Sequence, residues 1–236
     1  MIYFNGGDVP LSWILMLASF AIALIAQIGV KSAYGKYSKI RVASNMTGAQ
    51  VATMIVQNTG VSVVENRGGG KLSDHFDPRN KTIALSSEVY HGSTVAALGI
   101  AAHEAGHALQ HNQGYAPIKI RNGFLPVAQI GSFLAMPLIL LGLIFSAEVE
   151  GLEFLIDLGI LLFSATLVFQ FITLPVEFNA SNRAVAVLDG NAYLTPPELK
   201  GAKAVLRAAA MTYVAAVVTS ILQLMRLILL AQRRRR

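Results

Sequence analysis

The sequence predicts a mainly α membrane protein, with three to four transmembrane helices and a small α+β domain on the cytoplasmic side. Three observations carry this reading. First, 54% of the 236 residues are hydrophobic and only 14% are charged, against about 25% charged in a soluble globular protein. That deficit calls for an apolar solvent around much of the surface. Second, three stretches approach the ~20 apolar residues needed to cross a bilayer. Third, the polar segment between the first two stretches carries helix and strand patterns of its own. The net charge is +6, but the basic residues sit beside apolar stretches and no aromatic-interleaved basic module occurs. Membrane lipids, with anionic headgroups, account for them better than nucleic acid, which is excluded as a partner.

Taken in order, residues 9–30 form the first apolar stretch. It is too long for a signal-peptide core and lacks a basic start, so it reads as a retained anchor. Asp8 precedes it, and Lys31, Lys36, Lys39 and Arg41 follow. The positive-inside rule then places the N-terminus outside and residues 31–123 in the cytoplasm. Within that segment Thr47 and Gln50 make a capping box for a helix over 47–58, with Gly60 as its stop. Residues 61–65 alternate like a short strand. Gly68, Gly69 and Gly70 match no phosphate-binding spacing and read as a loop. Asp77 and Pro78 open a turn, and Thr82, Ile83, Ala84 and Leu85 read as a second strand. A long helix runs from Ser93 or Thr94 to about Gln113, closed by Gly114.

Lys119 and Arg121 precede the second apolar stretch, 124–146, whose Pro126 and Pro137 a membrane helix tolerates. The turn after it is acidic, with Glu148, Glu150, Glu153 and Asp157, and falls outside. Residues 152–175 return the chain to the cytoplasm. The last apolar stretch, 204–230, carries Thr212, Thr219, Gln223 and Arg226 along one side and precedes the arginines 233–236. Those arginines oppose a fourth crossing, and the polar stripe suits an interfacial helix, so both readings stay open. The chain thus divides into an anchor (1–30), a cytoplasmic domain (31–123), a transmembrane hairpin (124–175) and a C-terminal segment (176–236), without internal repeats.

The chemistry centres on Ala102-His103-Glu104-Ala105-Gly106-His107-Ala108. On a helix, residues four apart share a face, so the imidazoles of His103 and His107 converge on one ion. Glu104, rotated ~100° by the helical repeat, leaves the ligand face yet stays near enough to hold a water. With no cysteine in the chain, a zinc site must use His, Asp or Glu. Zinc activates water and polarises a peptide carbonyl, and Glu104 would take the proton and deliver it to the leaving amine. The pattern predicts one zinc ion per chain and peptide hydrolysis. The bland alternative, two polar residues on an ordinary amphipathic helix, does not account for the whole motif on a helix entered by an apolar run.

A catalytic zinc keeps three protein ligands and one open position. His111 continues the spacing but lies ~12 Å along the axis from His103, beyond the reach of one ion, and reads as a helix-end or supporting group. Glu177 stands where the hairpin re-enters the cytoplasm, and a carboxylate directly after an apolar span is a functional candidate. Asp189, in Leu188-Asp189-Gly190, is its rival. Asn179, Ser181 and Asp189 are candidates to steady the imidazoles. Arg183 is either an oxyanion partner or a positive-inside anchor.

At these residues the chain resembles the YugP-like family of neutral zinc metallopeptidases, membrane proteins of bacteria. The resemblance covers almost the whole chain. It includes Asp74-His75-Phe76-Asp77-Pro78, residues 101–110, Pro175-Val176-Glu177-Phe178 with Ala180-Ser181, and Ala208-Ala209-Ala210-Met211-Thr212-Tyr213. More distantly it is similar to HtpX-type gluzincin membrane peptidases, whose third ligand is a Glu after a membrane hairpin. That resemblance implies a gluzincin-like domain in a multi-pass protein of the bacterial inner membrane, its active site facing the cytoplasm. It gives Glu177 the ligand role. The HtpX pattern has an acid four residues past that Glu, where this chain has Ser181. It also implies that Thr82, Ile83, Ala84 and Leu85 form an edge strand that binds an extended substrate backbone. Asp74 and His75 are shared with the family, His75 in a structural role.

The leading expectation is an endopeptidase acting on membrane or unfolded proteins at the cytoplasmic face. A site-2-type intramembrane metalloprotease is the first alternative, because Leu188-Asp189-Gly190 echoes its ligand motif. A non-catalytic scaffold stabilised by zinc is the second, opposed by Glu104 and by the lack of cysteine. Besides a protein or peptide substrate, other membrane proteins or a second copy of the chain stay open as partners.

Overall fold

The computed structural model describes residues 11–68, 70, 73–146, 149 and 151–234. Asp8, Gly69 of the glycine run, Glu148 and Glu150 of the acidic turn, and the side chains of the terminal arginines lie outside the described residues. In chain order the elements are α1 (Leu11–Tyr37), α2 (Gly48–Val56), β1 (Ser62–Asn66), β2 (His75–Asp77), β3 (Thr82–Ser86) and α3 (Ser87–Tyr90). They continue with α4 (Val95–Asn112), α5 (Ala116–Phe145), α6 (Phe154–Gly190) and α7 (Pro196–Arg234). The fold is mainly helical with one small mixed sheet, as the sequence predicts. Helices α1, α5, α6 and α7 are each long and apolar enough to cross a membrane. The stretch 204–230 thus lies in a helix whose length and composition suit a crossing.

The chain divides into two units. The first takes Met1–Ile25, Arg121–Ile172 and Val214–Arg236. Its apolar side chains face outward: Phe20, Phe133 and Leu161 are 67–77% exposed, a surface that suits hydrocarbon rather than water. Helices α5 and α6 pack there through small residues, which let backbones approach closely where no hydrophobic effect drives association. A Cβ on Gly131 would lie 2.6 Å from the Leu162 carbonyl oxygen, and one on Gly159 would lie 2.8 Å from that of Ala135. Ala135, Ile139 and Ile156 are buried around these contacts. Pro126 and Pro137 lie within α5, and Pro175 within α6. Because α6 continues through Pro175, residues beyond it extend the second hairpin helix instead of starting a new element.

The second unit takes Ala26–Ile120 and Thr173–Tyr213. The capping box forms as the sequence predicts: Thr47 Oγ1 accepts from Gln50 N–H, and Gln50 Oε1 accepts from Thr47 N–H at 2.9 Å. Gly60 takes φ +70° past the helix end, a conformation glycine adopts freely. Asp77 opens the turn by accepting from Arg79 N–H and Asn80 Nδ2.

The sheet corrects one expectation. Its order is β1-β3-β2, with β1 parallel and β2 antiparallel to β3. Thr82, Ile83, Ala84 and Leu85 therefore belong to the central strand, not an edge. β1 pairs all of them, and β2 covers Thr82, Ile83 and Ala84 from the other side. Beyond β2, the Asp74 carboxylate accepts the Ser86 N–H at 2.8 Å. Among the described residues, β3 thus has a strand partner on each side. The pattern of a short apolar strand gives its burial but not its neighbours, and β2, three residues leading into the Asp77 turn, is too short to show as a strand by itself.

Candidate metal centre

Helix α4 begins where Thr94 Oγ1 accepts from Ala97 N–H, an N-cap that satisfies one orphan donor of the first turn. It ends where Gly114, at φ +67°, donates to the His111 carbonyl. Thirteen of its 18 residues are buried, which explains its alanine content: a helix covered on nearly all sides leaves little room for large side chains. Ala97, Ala101, Ala105 and Ala108 pack with Ile83 and Leu85 of the sheet and with Ala52 and Val56 of α2. Leu98 and Ala102 join a second cluster with Ala184 and Leu188 of α6 and Ala202 and Leu206 of α7. The remaining face carries His103, His107 and Gln110, at i, i+4 and i+7.

Opposite this face runs α6. Gly106 allows the approach: a Cβ there would lie 2.7 Å from the Ala180 carbonyl oxygen. At that closeness Glu177, 2% exposed, places Oε2 3.3 Å from His103 Nε2 and 3.5 Å from His107 Nε2. The three ligand atoms lie within 4.8 Å of one another. These spacings are longer than the ~2.7–2.9 Å of a charge-assisted hydrogen bond. The two spacings from Glu177 Oε2 match the edges, roughly 3.3–3.6 Å, of a tetrahedron with N and O ligands ~2.0–2.2 Å from its centre. The donor set and its spacing therefore fit zinc. Electrostatics favour a cation as well. Burial works against the imidazolium of His107, yet the Glu177 contact and the charge of Glu104 outweigh it and raise its pKa.

The imidazoles are held from behind. Ser181 Oγ lies 3.2 Å from His103 Nδ1. Gln110, fully buried, has Oε1 3.0 Å from His107 Nδ1, and its Nε2 donates to the Val176 carbonyl at 2.8 Å and to Asn179 Oδ1 at 2.9 Å. Arg183 donates from Nε to Asn179 Oδ1 at 2.7 Å and from Nη1 to Gln113 Oε1. Ser181 thus meets an imidazole directly, whereas Asn179 reaches one only through Gln110.

A cavity of about 160 Å³ opens beside the cluster, lined by His103, Glu104, Glu177 and Ser181 with Asp74 and Tyr213. Its apolar walls are Ile100 of α4 and Val205, Leu206, Ala209 and Ala210 of α7. Glu104 accordingly faces the same space as the ligand atoms while lying off their face. Asp74 is held by Ser86 N–H and Oγ. Burial pushes its carboxyl up against those hydrogen bonds, and the charge of Glu104 adds to the rise.

Other sequence candidates fall elsewhere. Asp189 is exposed on α6, ~18 Å along the helix from Glu177, and does not join the cluster. That removes the support Leu188-Asp189-Gly190 gave to an intramembrane protease. His111 is exposed and lies against Phe76, ring centroids 5.7 Å apart. His75 is exposed, its Nδ1 2.9 Å from the Ser73 carbonyl oxygen. Arg183 is tied to Asn179 and Gln113 and is not among the cavity's lining residues. Sequence reasoning missed Gln110, although a polar residue continuing the ligand face of an alanine-rich helix was the available signal.

Comparison with known proteins agrees with this geometry. Residues 12–232 match the model of a family described as "Putative neutral zinc metallopeptidase". The chain is 41% identical to the "Putative membrane protease YugP" of Bacillus subtilis (strain 168) over 217 residues, covering 92% of this chain and 94% of that relative. No solved structure matches the chain.

Proposed function

Because the chain belongs to the putative neutral zinc metallopeptidase family, we propose that it is a multi-pass zinc endopeptidase of the gluzincin type in the bacterial inner membrane. It hydrolyses peptide bonds of membrane or unfolded proteins at the cytoplasmic face. The observation that carries this reading is the set of spacings around Glu177 Oε2, 3.3 and 3.5 Å to the two Nε2 atoms, with Glu104 lining the adjoining cavity. The cytoplasmic placement rests on Lys31, Lys36, Lys39, Arg41, Lys119 and Arg121, which flank the first two spans.

His103, His107 and Glu177 hold one zinc ion. When bound, zinc polarises the peptide carbonyl and lowers the pKa of water toward ~7. Glu104 orients a water in the cavity, takes its proton as the bond forms, and returns that proton to the leaving amine. The apolar walls from α4 and α7 limit bulk water, so the charges of Glu104 and Glu177 act in a medium of low dielectric.

The test uses the full chain purified in detergent. Glu104→Gln keeps its zinc and loses proteolysis by about 10²–10⁴-fold, whereas Glu177→Ala loses zinc and activity together. Unchanged proteolysis in Glu104→Gln would refute the mechanism. Retention of zinc in Glu177→Ala, with loss in Asp189→Ala, would refute the ligand set.

A further inference from the structure

We propose that Gln110, held between the Val176 carbonyl and the Arg183–Asn179 pair, fixes the tautomer of His107 so that Nε2 presents its lone pair to the metal. This inference rests on the reading of His107 as a ligand, and it concerns what makes that atom available. A neutral imidazole carries one proton on either nitrogen, and only the bare nitrogen can ligate. Something must choose.

The choice follows from groups whose hydrogen-bonding sense is fixed. A side-chain amide can be turned end for end without changing its shape, so its orientation has to be read from its partners. The Val176 carbonyl only accepts, so the amide end facing it at 2.8 Å is the NH₂ of Gln110. From the other direction, the Arg183 guanidinium only donates, so the Asn179 atom 2.7 Å from its Nε is Oδ1. That oxygen receives the second N–H of Gln110 at 2.9 Å. Both donors of Gln110 are thereby used on α6, and Oε1 is left facing His107 Nδ1 at 3.0 Å. An oxygen there requires the proton on Nδ1, which leaves Nε2 bare and directed at the cluster. Arg183 is anchored at its far side by Gln113 and the Tyr115 ring.

His103 differs. Its Nδ1 meets the Ser181 hydroxyl at 3.2 Å, and a hydroxyl either donates or accepts, so Ser181 selects no tautomer. The two ligand histidines are thus unequally prepared. Gln110 also ties two jobs together, because Val176 and Asn179 flank Glu177 on the same turn of α6. No other neutral side chain of that size both accepts from the imidazole and donates twice. Glutamate would strengthen the contact to His107 and remove the Gln110 donors to the Val176 carbonyl and to Asn179 Oδ1, the latter keeping that of Arg183.

The test is ¹⁵N–¹H NMR of the detergent-purified full chain with labelled histidine, metal-free at a pH high enough for the neutral ring and again with zinc. The expected wild-type result is His107 protonated at Nδ1 in both. In Gln110→Leu the metal-free ring becomes a mixture of tautomers. Zinc, measured by chelator competition, binds about 10–100-fold more weakly, and the visible spectrum of the cobalt(II)-substituted protein changes. Gln110→Glu, which keeps the acceptor, retains Nδ1–H in the zinc-loaded protein and serves if the leucine variant does not fold. Protonation at Nε2 in the metal-free wild type overturns the proposal, as does zinc affinity within twofold of wild type in Gln110→Leu, or loss of Nδ1–H in Gln110→Glu. A wild type that binds no zinc refutes the ligand reading instead, while its metal-free spectrum still decides the tautomer.

Discussion

Helix α6 meets a partner through glycine in both units, and of the two contacts compared, Gly159 in the first and Gly106 in the second, one makes a site. In the first unit Gly159 of α6 lies against α5, where an added Cβ would be 2.8 Å from the Ala135 carbonyl oxygen and 2.5 Å from Ile139 Cγ1. In the second unit Gly106 of α4 lies against α6, where an added Cβ would be 2.7 Å from the Ala180 carbonyl oxygen. The approaches are nearly equal. What differs is the chemistry around them: exposed apolar side chains such as Phe133 and Leu161 beside the first, and buried His107, Gln110 and Glu177 beside the second. Close packing of two backbones is therefore the shared scaffold, and the polar residues flanking it decide whether it also does chemistry.

Valine at each glycine puts this contrast to the test. In Gly106→Val the new atoms meet the Ala180 backbone, which cannot rotate away, so α4 and α6 must separate. The expected cost is about 1–3 kcal/mol of stability from overpacking. Moving Glu177 by ~1 Å from the two Nε2 atoms is expected to lower proteolysis by about 10²-fold, with zinc affinity falling alongside. Gly159→Val should cost a similar ~1–3 kcal/mol, read as a lower Tm in detergent, yet leave zinc affinity where it was. Should Gly159→Val release zinc as readily as Gly106→Val, the two contacts would not be separable and the contrast would fail.

The two units were unequally legible in the sequence. Apolar length alone exposed the helices of the first, because a bilayer imposes a simple minimum on each. Pro175 hid the continuity of α6, since proline disfavours a helix interior locally while packing against neighbours overrides that preference. In the second unit the local signals were readable: the Thr47 and Gln50 cap, the Thr94 cap, and the spacing of His103 and His107. Glu177 was one of two acids until the family resemblance chose it, because its distance from His103 is set by the Gly106–Ala180 approach, a contact between residues 74 apart. Strand order was illegible for the same reason. Burial of Ile83 and Leu85 shows in an apolar run, but which strands flank them depends on pairings with β1 and β2 that no local pattern encodes.

The smallest effect separates the units by pH. Glu65 on β1 accepts from Arg67 Nε at 2.8 Å and from Ser87 Oγ at 2.7 Å, and these hydrogen bonds, that of Arg67 foremost, lower its pKa from 4.5 to about 2. Between those values the unfolded chain holds a proton that the folded chain does not. The stabilisation is thus fully present above the unfolded pKa and is lost as the pH falls through the folded one. Glu65→Gln is expected to lower the Tm slightly near neutrality and to converge on wild type as the pH falls through about 2, since the protonated acid and the amide are alike. The chain's one tryptophan, Trp13, lies in the first unit, so its emission should not distinguish the two proteins across this window. A difference in Trp13 emission between them would mean that the acid response is not confined to the second unit, and a Tm gap that persists at the acid end would mean that Glu65 acts through its shape and not its charge.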